Sequence, residues 1–132
     1  LNKRQNISTG TKWEAIAGYS RAVQVGNHIH VSGTTATDEN GHVVGVDDPY
    51  EQTVFIIHKI ERALHELGAT LEQVVRTRIY IVNKDQWEPI ANAHGEIFGD
   101  IRPANTLIVI AGLVGDDYLV EIEADAIIET DS

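Results

Sequence analysis

Three carboxylates alternate along LVEIEADAII. Glu121, Glu123 and Asp125 fall on one side of an extended run whose other members, Val120, Ile122, Ala124, Ala126 and Ile128, are apolar. Alternation with period two marks a half-buried strand. A carboxylate on the far face of such a strand can line a pocket and act as a general base on water. The more ordinary reading is a stripe of solvated charges, since acidic side chains are mostly exposed. Spacing alone does not choose between them.

His28 and His30 alternate in NHIH and point to one side, as metal ligands on a strand do. No third ligand stands at a suitable spacing, so a surface or interface pair is expected, and no metal. His94 lies on the apolar stripe of a helix and is read as a hydrogen-bonded packing residue. In IRPANTLIVI a short neutral amide, Asn105, sits at the mouth of an apolar strand. GHVVG and GAT are turns rather than phosphate loops, and no G-x-S-x-G elbow is present. The chain has no cysteine, which removes disulfides, thiolate zinc sites and cysteine nucleophiles.

These residues need elements to hold them. YSRAVQVGNHIHVSG reads as a hairpin around Gly26-Asn27, with Val25 facing His28, Val23 facing His30, Arg21 facing Ser32 and Tyr19 facing Thr34. One face then carries Tyr19, Arg21, Ser32 and Thr34; Ala22, Ile29 and Val31 lie on the other. A helix follows, with Asp48 as N-cap, Pro49 at its first position and Glu51 closing a capping box. Its stripe is Ile56, Ile57, Ile60, Ala63, Leu64 and Leu67, and Gly68 ends it. In VVRTRIYIV, Val75, Thr77, Ile79 and Ile81 share one face and Arg76, Arg78 and Tyr80 the other. A second helix is expected to start near Asp85, with Trp87, Ile90, Ala91, His94 and Phe98 inward. A strand from Asn105 to about Ala111, a turn at Gly115-Asp116-Asp117 and a last long strand complete the chain. Residues 1–18 read as irregular, with an apolar island from Trp13 to Ala17.

Two helices alternating with strands predict one α+β domain over residues 1–132, a mixed sheet with helices on one face. The other face would still need cover, which oligomerisation provides. Twenty acidic against ten basic residues give a formal net charge of −10, a poor surface for phosphate backbones. Nucleic acid is therefore not an expected partner. The longest apolar run, LIVIAGLVG, is far too short to span a membrane. With no cysteine and no charged-then-apolar leader in view, a cytoplasmic location is expected.

The ordered set GYSRAVQVGNHIHVSGT, ELGATLEQVVRTRIYIVNKDQW, AHGEIFGDIRPANT and LVEIEADAII resembles the Rid family, also called YjgF-type, from about residue 14 to 129. RPAxT followed by VEIEADA is its most specific signature. The resemblance implies a chorismate-mutase-like α+β fold and a homotrimer with three ligand clefts at subunit interfaces. For the best-known branch it implies hydrolysis of enamines and imines to 2-keto acids and ammonia, without metal or organic cofactor. Position by position, Tyr19, Ser32 and Gly33 match cleft residues, and Glu121 matches the glutamate that positions or activates water.

Two positions depart. The deaminase branch has an arginine after Pro-Ala that grips a substrate carboxylate; here it is Asn105, which offers no charged fork. The second-helix asparagine of that branch aligns with Ala91, and Asn92 lies one residue on, about 100° around the helix. Arg21 or Arg102 would be alternative cations. The expectation is a hydrolase of a small imine or enamine with altered specificity. The alternatives are a non-catalytic metabolite-binding trimer and, against the acidic charge, an endoribonuclease.

Overall fold

The computed structural model describes residues 3–129. Six strands form one sheet in the order β1-β2-β3-β6-β4-β5: β1 Arg4–Ile7, β2 Ala22–Val25, β3 His28–Thr34, β4 Val74–Ile81, β5 Ala104–Val109 and β6 Val120–Ile127. Only β4 and β5 are parallel; the other neighbours are antiparallel. Helices α2 (Pro49–Glu66) and α3 (Trp87–Phe98) carry the buried stripes that pack on the sheet; α1 (Lys12–Ala17) is one short turn-and-a-half. This is the mixed-sheet α+β architecture expected.

Local signals behave as read. The hairpin register is Val25↔His28 and Val23↔His30, as the Gly26-Asn27 turn dictates. The Asp48 side chain accepts the Glu51 backbone N–H at 3.0 Å, capping α2. Gly68 takes φ 80°, and the N–H groups of Gly68 and Ala69 close back on the carbonyls of His65 and Leu64. That is a left-handed terminus in which a Cβ would be strained. The α2 stripe meets Ile29, Val31, Ile79, Val120, Ile122, Ala124 and Ala126 in one core.

Four expectations are corrected. The turn at Gly115-Asp116-Asp117, which would make neighbours of the strands it joins, does not do so: β6 lies between β3 and β4, and β5 lies outside β4. With Val120, Ile122, Ala124 and Ala126 almost fully buried, β6 is central and makes ladders on both edges. Register shifts interrupt β3 between Val31 and Thr34, and β4 between Val74 and Arg76. An extra residue moves later side chains to the other face. Hence Val74 enters the core while Val75 is exposed, and Thr34 turns inward, away from Ser32. Next, α3 is led in by a 3₁₀ turn whose cap is Asn83, accepting from Asp85, and the buried residues are Ile90, Ala93 and Phe98 while Trp87 is exposed. Finally, the N-terminal stretch read as irregular contains β1 and α1.

No helix among the described residues is long and apolar enough to cross a membrane.

Candidate functional site

The open face of the sheet holds the carboxylate stripe, and its three members differ. Asp125 accepts from Arg78 at 3.0 Å and lies 2.8 Å from His30 Nδ1. Glu123 accepts from the Tyr80 hydroxyl at 2.9 Å and stands 3.5 Å from Arg78. Glu121, paired with Tyr80 in the β4–β6 register, has no hydrogen-bond or salt-bridge partner among the described residues. Its carboxylate lies half-buried over Gly33, so close that a Cβ there would meet Glu121 Oε2. Glycine at position 33 is thus the room in which the carboxylate sits. Burial raises the Glu121 pKa; Arg21 pulls it partly back, and Glu123 pushes it up again. A half-buried carboxylate with an upward-shifted pKa and free oxygens is what a general base on water requires.

A second buried carboxylate was missed from sequence. Glu14, in α1, accepts from the hydroxyls of Ser8, Thr9 and Thr11 and from the Thr9 N–H, and lies 3.8 Å from Arg21 Nε. Burial alone would raise its pKa, but the hydrogen bonds from Thr9, Ser8 and Thr11 outweigh it, and the pKa is lowered. The signal was present in TKWE, which has capping-box spacing. Glu14 is satisfied; Glu121 is not.

Arg21 turns away from the open face. Its Nη1 donates to the Gly33 carbonyl at 2.8 Å and to Thr34 Oγ1 at 3.0 Å, and the side chain lines a cavity of about 60 Å³ with Lys59, Arg62 and Glu66 of α2. Gly33 therefore touches both Arg21 and Glu121. Of the polar group expected from Tyr19, Arg21, Ser32 and Thr34, Arg21 gathers Thr34, by that hydrogen bond, and Tyr19, whose ring centroid lies 5.7 Å from the guanidinium; Arg21 and Thr34 are buried, while Tyr19 is exposed and Ser32 half-exposed. The Ser32 hydroxyl donates to the Ser20 carbonyl at 2.6 Å, tying the end of β3 to the segment that carries Tyr19.

Asn105 lies elsewhere. In the parallel register it is opposite Thr77, and its Nδ2 donates to Thr77 Oγ1 at 3.0 Å and to the Thr77 carbonyl at 3.4 Å. Thr77 faces the helices, where its hydroxyl meets His94 Nε2 at 2.8 Å. His94 stacks against Phe98 with ring centroids 4.6 Å apart, the packing role expected of it. Ala91 is one turn before His94 on the same side of α3. Asn92 is exposed, and two residues put it about 200° around the helix from His94, away from Asn105. Arg102, also exposed, follows α3 at φ 54°, with its N–H bonded to the Phe98 carbonyl. Among the described residues no three His, Asp or Glu side chains gather as a metal site would need.

Sheet, helix layer and open-face carboxylate together define a small α+β domain with one free carboxylate among the described residues of its open-face stripe. Comparison with known proteins places it in a family: the model of the Endoribonuclease L-PSP family matches residues 9–128. The chain belongs to that family, the group also called Rid or YjgF-type. It is 36% identical to a RutC family protein of Pyrococcus abyssi, over 93% of this chain and 96% of that one. It is 32% identical to the 3-aminoacrylate deaminase RutC of Acinetobacter baylyi, over 84% of this chain and 87% of that one. Among solved structures, Rv2704 of Mycobacterium tuberculosis, a member of the YjgF/YER057c/UK114 family, superposes with a TM-score of 0.87. The identity is 40%, covering 96% of this chain and 100% of that one.

Proposed function

We propose that the protein hydrolyses a small imine or enamine in a cleft assembled from two copies of the chain in a homotrimer, with Glu121 activating water. The observation that carries this is the half-buried Glu121 carboxylate, unpaired among the described residues, beside two carboxylates that are already engaged. Glu121 takes a proton from water as the oxygen adds to the C=N carbon. The same proton then passes to nitrogen, and collapse of the carbinolamine releases ammonia and the carbonyl compound. An enamine enters this sequence through its imine tautomer. The Gly33 backbone lies against Glu121; in this reading Ser32 and Tyr19, with Asn105 and Arg102 from a neighbouring copy, complete the cleft. The name of the Acinetobacter relative, a deaminase of an enamine, supports the reaction class.

A second copy is needed because Asn105 and Glu121 do not share a face of one sheet. Ile108 and Val109, on the edge strand β5, are 46% and 50% exposed, apolar surface that a neighbouring chain would cover. The description of the family names an endoribonuclease, but a net charge of −10 opposes phosphate binding, and RNA cleavage is no part of this reading.

One observation favours a cleft that only binds: Asn105 replaces the charged anchor of the deaminase branch. Turnover decides. Imines generated in place by an amino-acid or amine oxidase are followed by carbonyl release, with and without the protein. Acceleration that Glu121→Gln removes supports the hydrolase. Binding without acceleration of any imine or enamine leaves the metabolite binder.

A further inference from the structure

The Asn105 amide is held in one orientation. The Thr77 carbonyl can only accept, so the amide nitrogen, not the oxygen, must face it. The two amide hydrogens are directed at the two acceptors that Thr77 offers, its carbonyl and its hydroxyl. Because the hydroxyl already accepts from Asn105, its own proton is free to go to His94 Nε2 at 2.8 Å. The contacts run Asn105 to Thr77 to His94, and a neutral His94 ring with its proton on Nδ1 accepts from the Thr77 hydroxyl. Burial lowers the His94 pKa, which keeps the ring neutral and able to accept. Thr77 is fully buried and fixed in the β4 ladder, so its two acceptors stay in place.

What remains is Asn105 Oδ1, which has no partner among the described residues and belongs to an exposed residue. We infer that Asn105 presents a hydrogen-bond acceptor, not a donor, and that the ligand brings an N–H or O–H to it: a carboxamide where related substrates carry a carboxylate. This rests on the two-copy cleft proposed above. A carboxylate fails twice at this point, because it has no proton to donate and its charge faces the negative end of a carbonyl dipole. An amide of the same shape donates to Oδ1. Thr77 and His94 act as positioning residues, since they touch Asn105 or each other and not the ligand.

Crotonamide and crotonate form a matched pair of planar, conjugated probes that differ only at the amide or carboxylate. Their affinities are read from nuclear magnetic resonance titrations that follow the Asn105 side-chain amide and the Thr77 methyl. The parent should bind crotonamide at least about tenfold more tightly than crotonate, the ratio of one neutral hydrogen bond gained against one repulsion. Thr77→Val, which removes the closer of the two acceptors and leaves only the 3.4 Å carbonyl contact to orient the amide, should bring that preference to within about threefold. Thr77→Ser, which keeps the hydroxyl, should restore it. Crotonate bound as tightly as crotonamide overturns the inference, as does a preference that Thr77→Val leaves intact. If either result accompanies turnover that Glu121→Gln abolishes, the acceptor assignment fails and the hydrolase stands. If neither probe shifts these resonances, the cleft beside Asn105 fails with it.

Discussion

Asn105 and Glu121 stand on opposite faces of one sheet. Asn105 is in register with Thr77, which faces the helices, and Glu121 with Tyr80, which faces the open side. A strand's side chains alternate between faces, so no rotamer change brings the two together within one chain. If both serve one cleft, each cleft takes Glu121 from one chain and Asn105 from its neighbour. Two inactive variants should then rescue each other. Glu121→Gln and Asn105→Trp, the second blocking the cleft, are unfolded together and refolded as mixed trimers. About a quarter of the clefts should regain both native residues, and that fraction of parental activity should return. No recovery from trimers shown by mass spectrometry to be mixed would place both residues in separate sites. A monomer by light scattering at micromolar concentration would remove the shared cleft altogether.

Glu121→Gln should separate function from stability. Turnover should fall by roughly 10²–10⁴-fold, and the acidic limb of the parental rate profile, set by a carboxylate pKa above its ordinary value, should disappear. The folded chain holds the Glu121 proton to higher pH than the unfolded chain does. Its ionisation therefore lowers stability as pH rises through that window. The glutamine variant should be the more stable protein at pH 7 and lose that advantage below about pH 4.5, the ordinary carboxylate value. Urea midpoints at the two pH values measure it. A variant less stable than the parent at pH 7 would mean that Glu121 is paired after all.

Lys59 gives a second pH signature, far from the chemistry. Its Nζ donates to the Thr35 and Thr37 carbonyls, both at 2.8 Å, and so ties the loop after β3 to α2. Burial first, and then the charges of Arg21 and Arg62, bring its pKa down to about 8. Between about pH 8 and its ordinary value the unfolded chain keeps a proton that the folded chain has released. Stability from this group should therefore rise with pH across that window. Compared with Lys59→Gln, the parent should gain on the order of 1 kcal/mol between pH 7.5 and 9.5, after discounting for its exposed part. Taking the difference between the two proteins cancels the tyrosines that titrate nearby. A flat difference would show an ordinary lysine.

Elements set by neighbours in sequence were legible from the residues. The α2 cap, its stripe and its Gly68 terminus lie within one stretch, and the Gly26-Asn27 turn fixes the hairpin register by itself. What stayed hidden depends on partners far along the chain. Nothing local says that β6 enters between β3 and β4, because LVEIEADAII would alternate in the same way as an edge strand. The two register shifts are equally silent, and they decide that Thr34 leaves the polar face and that Val74 replaces Val75 in the core. The carboxylate stripe was visible, but only its cross-strand neighbours Arg78, Tyr80 and His30 single out Glu121 as the free member. Asn105 was placed at the strand mouth; that its amide is turned inward onto Thr77 needed the β4–β5 register.

The last prediction tests the Asn105 position by restoring a cation. An arginine–carboxylate contact contributes roughly 1.5–3 kcal/mol net, against roughly 0.5–1.5 for a neutral hydrogen bond. The difference of about 1–2 kcal/mol corresponds to about a tenfold change in affinity for an anionic substrate. Misplacement of the reacting carbon lowers the rate further. The parent should accordingly hydrolyse 2-imino acids derived from ordinary amino acids poorly. Asn105→Arg should raise that activity by about tenfold or more, since Asn105 is exposed and Ala91 on the facing side of α3 is small. The longer side chain must pass Leu107, which shares the Asn105 face of β5 and is only half-buried. Imino acids generated by an amino-acid oxidase, with keto-acid release followed for both proteins, provide the measurement. Efficient turnover of them by the parent would show that another cation anchors the carboxylate. Arg102 would then be the first to replace, because Arg21 Nη1 already donates to Gly33 and Thr34, at the other end of the strand order from β5.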